Sequence, residues 1–285
     1  MFKMVVFMVL GLLILGGMAV LLQNKNVAVA KQNQTQSFSL VLTALLVAIS
    51  IVLAQFRIYI PLFGFPSVRF SISEIPIFLV GAMLGGVYGA MAGFTSDIIS
   101  FILAPSGAYH FGFTLNLMLI GFIPGVIFSL IRNQKISISF GKLNKILGSI
   151  AMVGALIYIN KIGLADLKEA GEIEQIAGMP VNILLSIVMV ALVGGLVFVT
   201  FKLKKVYSGD KGLFGIDQLI FIVSINYIVV NLIFTPIWLL QLYNIPVMAS
   251  IAVRLFKSLI DVPLQVIVIY TVVHAIPVRM REKLL

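Results

Sequence analysis

The sequence predicts an all-α, polytopic membrane protein. Of its 285 residues, 61% are hydrophobic and only 11% are charged, against about 25% charged in a soluble domain. Its mean hydropathy is +1.15. Polar groups are too few to cover so apolar a chain in water. The apolar runs reach ~18 residues or more, the length of a membrane helix rather than of a barrel strand. Cysteine is absent, which excludes disulfides, thiolate nucleophiles and cysteine metal sites.

Nine spans are expected. The first runs from about Met4 to Leu22 and the second from about Leu40 to Phe56. Residues Ile72 to Ala104 form a mostly apolar stretch of 33 residues. As one helix it would be about 50 Å long at ~1.5 Å per residue, too long for a single crossing of a ~30 Å core. Gly85, Gly86 and Gly89 offer a break, so two short helices should meet near Gly85 and Gly86. The fifth span covers about Gly112 to Ile131, the sixth Ile146 to Asn160 and the seventh Val181 to Phe201. The eighth runs from Ile216 to Leu240 and the ninth from Ala249 to Ile276.

Charge orients these spans. A net charge of +10 is common in nucleic-acid binders, but here the basic residues sit in short loops and form no stripe interleaved with aromatics. With the C-terminus in the cytoplasm, 13 of the Lys and Arg residues fall inside and 5 outside. Inside are Lys25, Lys31, the basic residues between 132 and 145, those between 202 and 211, and Arg279, Arg281 and Lys283. Outside are Lys3, Arg57, Arg69, Lys161 and Lys168. The bias predicts an N-terminus outside and a C-terminus in the cytoplasm. Lys3, the first apolar run and Ala28-Val29-Ala30 also resemble a signal peptide with its cleavage site. Cleavage would invert the charge bias, so an uncleaved first helix is expected.

Hydrolytic chemistry finds little support. The two histidines, His110 and His274, fall on opposite sides of the membrane. No zinc-protease, nucleophile-elbow or Walker A pattern occurs. Glycines at 81, 85, 89 and 93 repeat every fourth residue. They read as close helix packing rather than a phosphate loop, because the Lys-Ser/Thr of a P-loop is missing.

Ionisable residues inside apolar spans carry the functional signal, since each is costly unless paired or facing a cavity. Arg254 and Lys257 share one helical face near the outer end of the last span. Asp261 follows Lys257 at i+4, a spacing that allows an ion pair. Glu74 opens the third span and Asp97 lies in the fourth. Arg254 and Lys257 could therefore bind a ligand carboxylate, or Lys257 and Asp261 could neutralise each other while Arg254 snorkels outward. The loop from Pro105 to Thr114 holds two glycines and the aromatics Tyr109, Phe111 and Phe113. It reads as an interfacial belt or as a stacking lid over a flat ring.

These residues carry a family resemblance. Arg69, Pro76-Ile77-Phe78-Leu79-Val80-Gly81, Tyr88-Gly89-Ala90, Asp97, Pro105-Ser106-Gly107-Ala108-Tyr109, Gly112-Phe113-Thr114-Leu115 and Arg254-x-x-Lys257 resemble the substrate-binding (S) component of energy-coupling factor (ECF) transporters, most closely the folate type. The resemblance covers about Ser39 to Arg132 and Asp217 to Ala275. It implies a six-helix core and an outward-facing vitamin pocket in the cell membrane. Arg69, Glu74, Tyr109, Phe111, Phe113, Arg254 and Lys257 are then the expected binding residues. Ala44 and Ala48, small residues four apart, become the expected docking face for a membrane coupling subunit driven by two ATPases. No cofactor, metal or nucleic acid is implied; the remaining partner is membrane lipid.

Against that core the chain divides into four parts. Residues 1–38 form an extra N-terminal helix with a linker, 39–132 the first four core helices, 133–214 an inserted helix pair, and 215–285 the last two core helices with a cytoplasmic tail. Ser73-Glu74-Ile75-Pro76 departs from the folate type and looks more like S components for other ligands, including riboflavin. Other readings are a multi-pass membrane enzyme and a stand-alone transporter. The missing catalytic cluster argues against the first, and the lack of internal repeats argues against the second.

Overall fold

A computed structural model describes residues 32–158 with short gaps, scattered positions between 175 and 205, and 214–276. The first predicted span, its cleavage motif and the tail beyond Ile276 lie outside the described residues, as does most of the predicted helix from Val181 to Phe201.

The described chain is predominantly helical. Helix α1 is Gln32–Gln55, α2 is Glu74–Leu84, α3 is Gly86–Leu103 and α4 is Phe111–Asn133. Helix α5 is Phe140–Tyr158, α6 is Ile216–Tyr243 and α7 is Val247–Ala275. Five of these are long and apolar enough to cross a membrane, and α2 is a shorter apolar helix. The protein is a multi-pass membrane protein. Helix α1, the second predicted span, begins within what looked like a linker, at Gln32, and α5 begins six residues before the predicted sixth span.

The long stretch from Ile72 to Ala104 does break where its glycines predicted. Gly85 has φ +103°, a conformation that an L side chain disfavours. Helix α2 ends there and α3 begins at Gly86. The glycine repeat is a packing device. A Cβ on Gly81 or Gly89 would overlap the backbone of Gly121 in α4, and one on Gly93 would overlap Leu117. Gly125 packs in the same way on Gly86. With no side chains between them, α2, α3 and α4 approach backbone to backbone, as small residues allow in membranes.

Two features were not foreseen. Residues 58–70, read as a plain loop, form an antiparallel hairpin of β1, Ile58–Leu62, and β2, Phe65–Phe70. Its register pairs Ile58 with Phe70, Tyr59 with Arg69 and Ile60 with Val68, and slips between Ile60 and Leu62. Pro61 and Pro66 are tolerated because a two-stranded ribbon is all edge. Strand β2 lies against α7. A second short pairing joins Gln175–Ile176 to Met179–Pro180. The other feature is a π-helical segment, Ile228–Phe234, inside α6.

One apolar core joins α2, α4, α6 and α7 through Phe78, Phe128, Leu219, Ile222, Val266 and Ile269. Helix α1 joins α2 and α3 through Val47, Val80 and Ala92. Beside them Ser50 Oγ bonds both the Ser73 carbonyl (2.7 Å) and Ser96 Oγ (2.9 Å). Helix α5 leans on α6, with Phe140 against Phe221 and Asn144 Nδ2 donating to the Asp217 carbonyl at 2.9 Å.

Candidate functional site

The helices run up and down, so the start of α2, the α3–α4 loop, the hairpin and the start of α7 all belong to one end. Helix α2 is short, and this determines the depth of Glu74, its first residue. Gln265 Nε2 reaches Glu74 Oε2 at 3.5 Å, the long limit of a hydrogen bond. Gln265 lies roughly 27 Å along α7 from Val247, at ~1.5 Å per residue. Glu74 therefore sits well inside the molecule, below the basic pair rather than level with it.

Helix α7 carries a polar stripe. Ser250, Arg254, Lys257, Asp261 and Gln265 follow at spacings of four, three, four and four, which puts them on one face. Arg254 is 7% exposed. Its Nη1 donates to the Ser250 Oγ at 2.7 Å and to the Ser250 carbonyl at 3.2 Å. Among the described residues the guanidinium has no carboxylate partner. One turn on, Lys257 Nζ meets Asp261 Oδ2 at 2.6 Å, with side chains 10% and 11% exposed. The i, i+4 spacing thus yields the ion pair that the sequence allowed. Tyr227 of α6 donates its hydroxyl to the Arg254 carbonyl at 2.7 Å. Tyr227 lies within electrostatic reach of Arg254, Asp261 and Glu74, and Asp261 within that of Lys257 and Glu74.

The aromatic loop is anchored on both sides. Asp97 Oδ2 accepts from Thr114 Oγ1 at 2.7 Å, and Thr114 Oγ1 meets the Tyr109 hydroxyl at 2.9 Å. The Tyr109 ring stands edge-on to Phe101 at 5.1 Å. On the other side His110 packs against Phe113 at 5.9 Å and Trp238 at 5.5 Å. The Gly112 amide donates to His110 Nδ1 at 3.1 Å. Trp238 Nε1 donates to Asn116 Oδ1 at 3.2 Å, and Asn116 Nδ2 donates to Thr235 Oγ1 at 3.0 Å. Gly112 is required here, because a Cβ would strike the Trp238 ring.

The expected site residues thus fall into groups. Arg254 and Lys257 share the α7 stripe with Asp261 and Gln265, Tyr227 bonds the stripe at Arg254, and Glu74 meets it at Gln265. Tyr109 and Phe113 belong to the loop cluster, and Phe111 is 58% exposed. Arg69 stands in β2 opposite Tyr59, in the strand that adjoins α7; its side chain lies outside the described residues. Ala44 and Ala48 are both exposed on α1. Sequence reasoning missed Gln265 and Ser250, although both continue the stripe of Arg254 and Asp261. It also missed Trp238, the chain's single tryptophan.

Residues 38–164 match the family model described as "ECF transporter, substrate-specific component". The family is a transporter component, not an enzyme. The matched segment, less than half of the chain, spans α1 to α5 and so includes the glycine-packed helices and the aromatic loop. A curated relative, the folate transporter FolT of Clostridium novyi (strain NT), is 36% identical over 73 residues, 26% of this chain and 41% of that protein. The match thus spans less than half the length of that relative. A crystal structure of FolT bound with folic acid aligns with a TM-score of 0.45 and 19% identity, over 81% of this chain and 91% of that one.

Proposed function

We propose that the protein is the vitamin-binding subunit of an ECF-type importer in the cell membrane and that it takes up folate. The observation that carries this reading is Arg254. A guanidinium 7% exposed inside a membrane helix, with only Ser250 as its hydrogen-bond partner among the described residues, is costly without an anion. A ligand carboxylate beside it, bound also by Lys257, supplies one.

In this reading Glu74 accepts the paired N–H donors of a pterin at the inner end of the site. Tyr109, Phe111 and Phe113 stack on or cover the flat ring, and Arg69 of β2 closes the wall beside α7. The relative named a folate transporter supports the choice of vitamin. The 13:5 distribution of Lys and Arg supports an outward-facing site, with the N-terminus outside and the C-terminus in the cytoplasm. Release inside follows docking on a membrane coupling subunit with two ATPases. The exposed Ala44 and Ala48 lie on a face of α1 that leaves room for a close partner helix.

Mass spectrometry of the ligand that copurifies with detergent-solubilised protein tests the vitamin. Folate is expected; riboflavin in its place would overturn the folate assignment and keep the wider family reading. Ala44→Trp/Ala48→Trp, coexpressed with the coupling module, should abolish uptake and leave folate affinity within about twofold of wild type. Normal uptake would remove these alanines from the docking face.

A further inference from the structure

We propose that Asp261 is a built-in competitor for the ligand's carboxylate, which holds Lys257 and so sets the charge pattern that the site accepts. The inference rests on the anion-binding reading above and deepens it. Two cations one turn apart are treated differently. Arg254 has no carboxylate beside it among the described residues, whereas Lys257 is held at 2.6 Å by Asp261 from its own helix.

A carboxylate arriving at Lys257 has two routes. It can share the ammonium, which has three donors, and then two carboxylates lie together in a dry site and repel. Alternatively it displaces Asp261, and that buried carboxylate is left unpaired. Both routes weaken the binding of an anion that offers nothing else. Glu74, within electrostatic reach of Asp261, adds to the repulsion.

The penalty is offset by a ligand that brings N–H donors to the acidic end while its carboxylates occupy Arg254 and Lys257. The stripe is ordered for such a molecule, with cations toward the start of α7 and Asp261, Gln265 and Glu74 beyond them. The ligand class is an organic acid joined to a flat heterocycle rich in N–H groups. A small anion, or the acidic half of the ligand alone, is rejected.

Asp261→Asn tests this, because it keeps the size and an acceptor for Lys257 and removes the charge. Calorimetry would compare folate, 6-methylpterin and 4-aminobenzoyl-glutamate on wild type and variant. The acidic fragment should bind at least about fivefold tighter to the variant, while 6-methylpterin gains nothing. Adding Lys257→Gln should abolish the gain, since the gain runs through the Lys257 ammonium. An unchanged or weaker affinity for the fragment, with or without a lower melting temperature, would overturn the inference and leave Asp261 a structural counter-ion. If Asp261→Asn does not fold, Asp261→Ser is read in the same way. Wild-type protein that binds neither folate nor the fragment would remove the anion-binding reading itself.

Discussion

Helices α2, α3 and α4 pack through glycines, with Gly81, Gly89 and Gly121 in backbone contact and Gly125 on Gly86. Helices α6 and α7 pack through large apolar side chains around a stripe of buried charge. At its glycine contacts the first block has no side chains to rearrange; the second holds an ion pair and a guanidinium bonded to Ser250. The glycine contacts suit a membrane, where helices gain little from apolar burial alone and close backbone approach matters. The glycine block fixes where Glu74 and the aromatic loop sit, and α7 brings Gln265 to Glu74.

This contrast can be broken from either side. The largest effect is expected from Gly121→Val. Its side chain would enter the Gly89 backbone, which cannot rotate away, so the cost should exceed about 3 kcal/mol. Loss of folded protein on size exclusion in detergent checks it; a normal elution profile and melting curve would show that the helices can part.

Arg254→Ala touches the other block. A charge-assisted hydrogen bond is worth roughly 1.5–3 kcal/mol, so folate should bind about 10- to 150-fold more weakly to a protein that still folds. Unchanged affinity for both this variant and Lys257→Ala would sink the carboxylate clamp. Glu74→Gln stands where the two blocks meet. Folate affinity should fall about tenfold with little change in melting temperature; full affinity would make Glu74 a helix-terminus residue of electrostatic value alone.

Gly85→Ala should have the smallest effect of the four. A Cβ there meets nothing within 4 Å, so only the backbone, at φ 103° and ψ 166°, is strained, at about 1–3 kcal/mol. A modest fall in melting temperature with unchanged folate affinity is expected. A loss as large as that of Gly121→Val would mean that the α2–α3 corner, not the glycine contact, holds the block together.

Much of this contrast was legible in the sequence because it is local. The glycine repeat at 81, 85, 89 and 93 and the Lys257–Asp261 spacing lie within a few turns. The opposing glycines, 121 and 125, went unread because nothing in their own neighbourhood names their partner. Glu74 and Gln265 are 191 residues apart, and only the depth set by the short α2 brings them together. The hairpin was hidden by two prolines that argue against a strand, and the π segment has the same composition as the α-helix around it.

That π segment makes α6 two readers of one helix. An i→i+5 turn holds about one residue more than an α turn, so the faces before and after it fall out of phase. Before it, Tyr227 addresses α7 through the Arg254 carbonyl. After it, Thr235 and Trp238 address α4 through Asn116. Thr235 also seals the distortion, since its amide and its hydroxyl both donate to the Val230 carbonyl. A regular helix of the same length would keep a single phase along its whole run. With the extra residues, one rod speaks to the charged stripe at one level and to the aromatic loop at another.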